Sequence, residues 1–182
     1  MLLRQQETPV IVYADEETRA ALGWIDAVLS RFCGIEWRSV TGGLTRLTDG
    51  ITFRGIKLRQ SIAFQFEDEL TQRRIVVAPA VGELTSELRD AMADSEVVLC
   101  DGTFWSDEEL LAIRPSARRA TEMHHLPIRS GSLDFLRQCS ARRKIYIHIN
   151  NTNPILIPGS SERRKVEEAA IEVASDGMEI VL

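Results

Sequence analysis

Three short, almost unbroken apolar runs constrain this chain most. Residues 74–78 hold Ile75, Val76 and Val77, residues 96–100 hold Val97, Val98 and Leu99, and residues 144–149 hold Ile145, Tyr146 and Ile147. A strand with one wet face alternates apolar and polar side chains, whereas a run apolar on both parities belongs to a strand buried on both faces. The runs are separated by segments with helix signals, which predicts a mixed sheet with helices packed on it, in a single α/β domain over residues 1–182. At 182 residues, 44% hydrophobic and 27% charged, the chain can bury a sizeable core and is not a disordered one. Its net charge of −5 speaks against a phosphate backbone as partner, so no nucleic acid is expected. No apolar run reaches the ~18 residues of a membrane span. Residues 1–6 lack the basic-then-apolar layout of a signal peptide. Cys33, Cys100 and Cys139 are widely spaced and odd in number, so they read as reduced thiols. Together these features predict a cytoplasmic protein.

Before the first apolar run the chain is rich in β signals. Residues 10–13 read as a strand and Asp15 as the cap of a helix running from 16 to about 32. In that helix Ala20, Ala21, Trp24, Ile25, Val28 and Leu29 recur at helical spacing, and Gly34 is expected to close it in a left-handed cap. Strands follow at 35–40, 51–58 and 61–67. In the last, Ile62, Phe64 and Phe66 face one way and Ala63 and Gln65 the other. Helices are predicted at 85–93, from the Ser106/Glu109 capping box to about 113, at 132–140 and after Ser161, with a short strand at 178–182.

Chemistry concentrates where two apolar runs end. Asp101-Gly102-Thr103 follows one, and His148 with Asn150-Asn151-Thr152-Asn153-Pro154 ends another. Loops at strand C-termini are the usual ligand sites of layered α/β folds. Asp101 and His148 can face each other at one sheet edge. Equally, Asp101 can be a turn former before Gly102 and His148 a core histidine. The asparagines either knit a tight loop or position His148 and a polar substrate. His124 and His125 are adjacent and point apart, so at most one should enter a given site. His125, His148 and Asp101 match the count of a two-histidine, one-carboxylate iron site. Arg118-Arg119 and Arg142-Arg143-Lys144 read as solvated faces or as anion-capturing clusters. No dinucleotide fingerprint, P-loop, nucleophile elbow or H-E-x-x-H motif is present.

Several strings are similar to one family. Val97-Val98-Leu99-Cys100-Asp101-Gly102-Thr103-Phe104-Trp105, His125-Leu126-Pro127-Ile128, Ile147-His148-Ile149-Asn150-Asn151-Thr152-Asn153-Pro154-Ile155-Leu156 and Val173-Ala174-Ser175-Asp176-Gly177-Met178-Glu179-Ile180 resemble the pyrroloquinoline quinone (PQQ) biosynthesis protein B family. The resemblance implies the α/β metallo-β-lactamase fold, an αββα sandwich of which this chain would be an incomplete, C-terminal portion. It implies an iron-dependent hydroxylase, with zinc the other candidate metal, acting on the tyrosine ring of a small precursor derived from a Glu–Tyr peptide. It makes His148 a metal ligand, His125 a proton-transfer or substrate-holding residue, and Asp101 a group that orients His148. Thr103, Asn150 and Asn151 are the implied substrate contacts. The His-x-His-x-Asp-His metal motif of the family is missing, no carboxylate stands at Ala78-Pro79-Ala80, and His124 replaces a glycine. One ligand histidine cannot hold a metal, so a homodimer or a complementing N-terminal chain is expected, and without one no cofactor. The alternatives are a carrier or transport factor for PQQ or its precursor, and an inactive truncated remnant.

Overall fold

The computed structural model describes residues 8–41 and 43–182. The backbone packs as two compact units, one ending at Thr45 and the other Arg46–Leu182. The first holds β1 (Val10–Ala14), α1 (Glu16–Leu22), α2 (Trp24–Leu29) and β2 (Ile35–Ser39). β1 and β2 are parallel, with Val10 opposite Ile35 and Ala14 opposite Ser39. Asp15 caps α1 as predicted, its Oδ1 accepting the Thr18 N–H at 2.9 Å.

The single helix predicted for 16–32 is instead two, interrupted at Gly23. Glycine is the weakest helix former after proline, and here the Asp26 N–H turns back to the Gly23 carbonyl at 3.2 Å. α2 stops at Leu29, and Gly34 is not left-handed. The Gly34 carbonyl accepts the Val10 N–H at 2.9 Å, so this glycine opens the strand pairing rather than closing the helix. Neither helix buries a residue, and Trp24 is 65% exposed. The helical spacing is real, yet in this unit only Ala14, Asp15 and Val40 are buried among the described residues.

The second sheet runs in spatial order β3 (Thr45–Thr48), β4 (Ile51–Lys57), β5 (Ile62–Asp68), β6 (Arg74–Ala78), β7 (Val97–Asp101), β8 (Arg143–Ile147) and β9 (Glu172–Val173). β4, β5 and β6 form an antiparallel meander, and β6 to β9 are parallel. The three apolar runs thus lie side by side as β6, β7 and β8. The crossovers carry α3 (Ser86–Ala93), α4 (Leu133–Gln138) and α5 (Ser161–Glu168). One sheet face, with Ile56, Ala63, Val76, Val98, Cys100 and Tyr146, forms a continuous core with Leu88 and Met92 of α3, Leu136 of α4 and Val166 of α5. Burial pushes the Cys100 thiol and the Tyr146 hydroxyl well above their ordinary pKa values.

The alternation of β5 holds, and its core side is the one with Gln65. This side chain is 6% exposed and fully satisfied. Its Oε1 accepts from Arg54 Nε at 2.8 Å, and its amide donates to the Ala91 carbonyl at 3.2 Å and Ser95 Oγ at 3.0 Å. Phe64 and Phe66 lie on the opposite face with Phe53, at centroid distances of 6.1 and 5.8 Å from it. On that face Val97 and Ile145 are fully buried, while Val77, Leu99 and Ile147 are partly exposed.

Three further expectations change. Residues 106–113 form turns rather than a helix, because the Glu109 carboxylate is drawn to Trp105 N–H and to Thr152. The 132–140 helix is shortened to α4 and preceded by a π-helical turn, Ile128–Ser132. Residues 178–182 form no strand. No described helix is long and apolar enough to cross a membrane.

Gln65→Leu keeps the side-chain volume but strands the groups bonded to it. It is expected to lower stability by about 1–3 kcal/mol in denaturant unfolding. At the other sheet edge Arg143 grips Glu172 with two 2.9 Å hydrogen bonds, which hold the Glu172 carboxyl below its ordinary value of 4.5. That contribution is present above the ordinary value and is lost as pH falls through the lowered one. Both side chains are partly exposed, so less than about 1 kcal/mol is at stake. Unfolding of Glu172→Gln is expected to be correspondingly less pH-sensitive below the ordinary glutamate range.

Candidate functional site

The C-terminal ends of β6, β7 and β8 bring the predicted residues together. β7 ends on Asp101, opposite Ile147 of β8, and β8 stops one residue short of His148. His148 is not part of the strand, contrary to expectation. Its φ of 53° turns the chain left-handed and lifts the ring off the sheet edge, leaving the side chain 53% exposed. His125 arrives from the long connection after β7, its side chain 15% exposed. The ligand-capable atoms of Asp101, His125 and His148 lie within 4.8 Å of one another, and the two imidazoles stack with centroids 5.5 Å apart.

Asp101 organises this cluster. Its side chain is 1% exposed, a costly position for a carboxylate unless donors surround it. Oδ1 accepts from the Thr103 N–H at 2.9 Å and the Thr103 hydroxyl at 2.6 Å. Oδ2 accepts from the Val81 N–H at 2.8 Å and His125 Nδ1 at 2.7 Å. A carboxylate offers about four lone-pair sites, and all are used. In this arrangement Asp101 therefore orients ligands and has no lone pair left for a metal.

The same bonds decide the histidine tautomers. Asp101 only accepts, so His125 Nδ1 carries the proton, which in the neutral ring leaves Nε2 bare. The Thr103 hydroxyl has one proton and three neighbours, namely Asp101 Oδ1 at 2.6 Å, His148 Nδ1 at 2.9 Å and the His148 carbonyl at 2.9 Å. The short charge-assisted bond to the carboxylate is the strongest of these. Thr103 then accepts from His148 Nδ1–H, and His148 Nε2 is bare as well. Two imidazoles oriented through their far nitrogens are what a metal centre needs from its outer partners. Two nitrogens are fewer than the three or more protein donors of common sites, so the donor set fits part of a metal centre.

The loop after His148 is knitted internally. Asn153 donates to the Gly102 carbonyl at 2.8 Å and accepts the Ile155 N–H at 3.1 Å. The Asn150 N–H binds the Thr103 carbonyl at 3.1 Å, and its amide reaches Thr152 Oγ1 at 2.6 Å. Asn151 is exposed. Gly102 is required where it stands, since a Cβ there would lie 2.8 Å from Tyr146 Cβ. Sequence reasoning missed the Val81 N–H, which carries no side-chain signature. It also took Glu109 for a helix cap, whereas Glu109 Oε2 accepts the Trp105 N–H at 2.7 Å and Oε1 the Thr152 hydroxyl at 2.5 Å. Glu109 thereby ties the loop after β7 to the loop after β8. Of the adjacent histidines only His125 enters the cluster.

Asp101→Asn places an amide N–H against one pair of donors. It is expected to cost on the order of 3 kcal/mol in unfolding experiments and to release the His125 ring, seen as changed imidazole tautomer signals in NMR.

The chain is similar to known proteins along its whole length. A family model described as a β-lactamase superfamily domain matches residues 2–149. Coenzyme PQQ synthesis protein B of Nitrosococcus oceani is 32% identical over all of this chain and 69% of its own, and that of Cupriavidus necator is 32% identical over all of this chain and 68% of its own. The crystal structure of Zn(2+)-bound PqqB from Methylobacterium extorquens superposes with a TM-score of 0.83 at 23% identity, covering 96% of this chain and 63% of that one. A diphosphatase of the PhnP family shares the fold more distantly, with a TM-score of 0.65 at 13% identity over 96% of this chain and 59% of that one. The chain thus spans roughly two thirds of the length of these proteins. It carries the metallo-β-lactamase fold, and it belongs to the coenzyme PQQ synthesis protein B family of the β-lactamase superfamily.

Proposed function

We propose that this chain acts in PQQ biosynthesis as part of an iron-dependent hydroxylase, which adds oxygen to the tyrosine ring of a Glu–Tyr-derived precursor. The single observation that carries the reading is the pair of imidazoles anchored through Nδ1 by Asp101 and Thr103 at the sheet edge. Family membership supplies the pathway. A bound iron(II) would supply activation of dioxygen, for which open coordination positions are needed.

The chain's own residues divide the remaining work. His148, the more exposed of the two, donates Nε2 to the metal. His125 moves a proton at its Nε2, while Asp101 holds its Nδ1–H and stabilises the ring when it is charged. Thr103 and Asn150 fix the turn from which His148 projects, and Asn151 at the surface of the same loop is placed for substrate. One imidazole is too few for a metal. The reading therefore includes a partner, a second copy or a complementing chain, that brings the other donors. The partly exposed Phe64, Phe66 and Leu99 face offers apolar area for such association.

Anaerobic loading with iron(II), followed by metal analysis and sedimentation, tests this directly. One iron per chain is expected, in an associated species. His148→Ala should lose it and His125→Gln should keep it. Absence of bound iron in the wild type, or iron retained by His148→Ala, would overturn the assignment. Zinc bound to the exclusion of iron would leave the site but remove the oxygen chemistry.

A further inference from the structure

Beside the histidine cluster lies a second cavity, of about 140 Å³, bounded by the turn between β4 and β5 and by the loop after β6. Its walls include Arg59, Ser61, Ala80, Gly82, Glu83 and His124. None of Asp101, His125 and His148 lines it, yet the two places share a partition. Ala80 and Gly82 flank Val81, whose N–H binds Asp101, and the Val81 carbonyl accepts the Leu126 N–H at 2.6 Å. His124 is the chain neighbour of His125.

Three features mark this cavity as more than a gap between loops. First, it holds one cation and one anion, Arg59 and Glu83, both exposed, and among the described residues neither is in an ion pair. Opposite charges that border one small space without neutralising each other suit a guest that carries both signs. Second, His124, which borders the cavity, sits at φ 63°, a left-handed backbone that strains a residue with a Cβ. Third, residue 82 packs closely on this turn, since a Cβ there would lie 3.1 Å from the His124 carbonyl oxygen. The Ser61 hydroxyl donates to the Ala80 carbonyl at 2.6 Å, which leaves it only as an acceptor toward the guest.

We propose that this cavity is a subsite for the charged termini of the substrate, with Arg59 taking an α-carboxylate and Glu83 an α-ammonium group. The inference rests on the hydroxylase reading for the identity of the whole substrate, but not for the chemistry of the pocket.

The test uses the metal-free full chain and the dipeptide Glu–Tyr as probe, followed by calorimetry and by the amide NMR signals of Gly82 and His124. Saturable binding is expected, weakened about tenfold or more by Arg59→Gln and by Glu83→Gln, as for loss of a partly desolvated charge contact. His148→Ala should leave it unchanged. N-acetyl-Glu–Tyr, which lacks the ammonium group, should bind more weakly and be indifferent to Glu83→Gln. No saturable binding, binding indifferent to Arg59 and Glu83, or binding abolished by His148→Ala would each overturn the proposal. Iron binding measured in the same variants separates the two readings. Dipeptide held at Arg59 and Glu83 in a chain that takes no iron would sustain the subsite while removing the hydroxylase, and the reverse pattern would do the opposite.

Discussion

The buried carboxylate of Asp101 is the constraint on which this site depends. An ion taken out of water is tolerated only where donors replace its hydration, and here four are supplied by three separate segments. Val81 N–H comes from the loop after β6, the Thr103 amide and hydroxyl from the loop after β7, and the His125 ring from the connection that follows. Satisfying one residue therefore sets the relative positions of all three. The orientation of both imidazoles follows from that requirement.

The parallel strands make this convergence possible. β6, β7 and β8 run in the same direction, so their C-terminal ends open at one edge. There backbone groups are free of sheet pairing and can serve a buried charge. Gly102 lets the loop after β7 press against Tyr146 of the neighbouring strand, and Glu109 binds the two loops from outside. What results is a rigid platform carrying two bare ring nitrogens. A metal held there would find its ligands already oriented, which lowers the reorganisation needed on binding.

The adjacency of His124 and His125 gives the site a second compartment. Consecutive side chains diverge, and the left-handed turn at His124 exaggerates the divergence. His125 serves the buried carboxylate, and His124 borders a small cavity whose walls include Arg59 and Glu83.

Much of the second unit was legible in the chain itself. The runs around Val76, Val98 and Ile145 are apolar on both parities, and they became adjacent strands, buried on the helix-covered side and only partly on the other, where Val77, Leu99 and Ile147 stay partly exposed. In the first unit Asp15 caps the helix it precedes, as its place in the sequence predicted. Asp101 and His148 stood out as polar residues at the ends of apolar strands, and His125 as one of only three histidines and through the family resemblance. Other features were decided only by tertiary structure. The spacing of Trp24 and Val28 is that of an amphipathic helix, but periodicity says nothing about whether a core lies opposite, and neither is buried. Alternation alone left open which side of β5 meets the core, and α3 and Ser95 settled it by supplying partners to Gln65. Glu109 satisfied a local capping pattern, yet the nearer claim came from Thr152, 43 residues along the chain. Local sequence determines strand, cap and turn because these depend on neighbours a few residues away. Which carboxylate lies buried, and which ring nitrogen is left bare, depends on donors brought from distant segments, and only the folded chain assembles those.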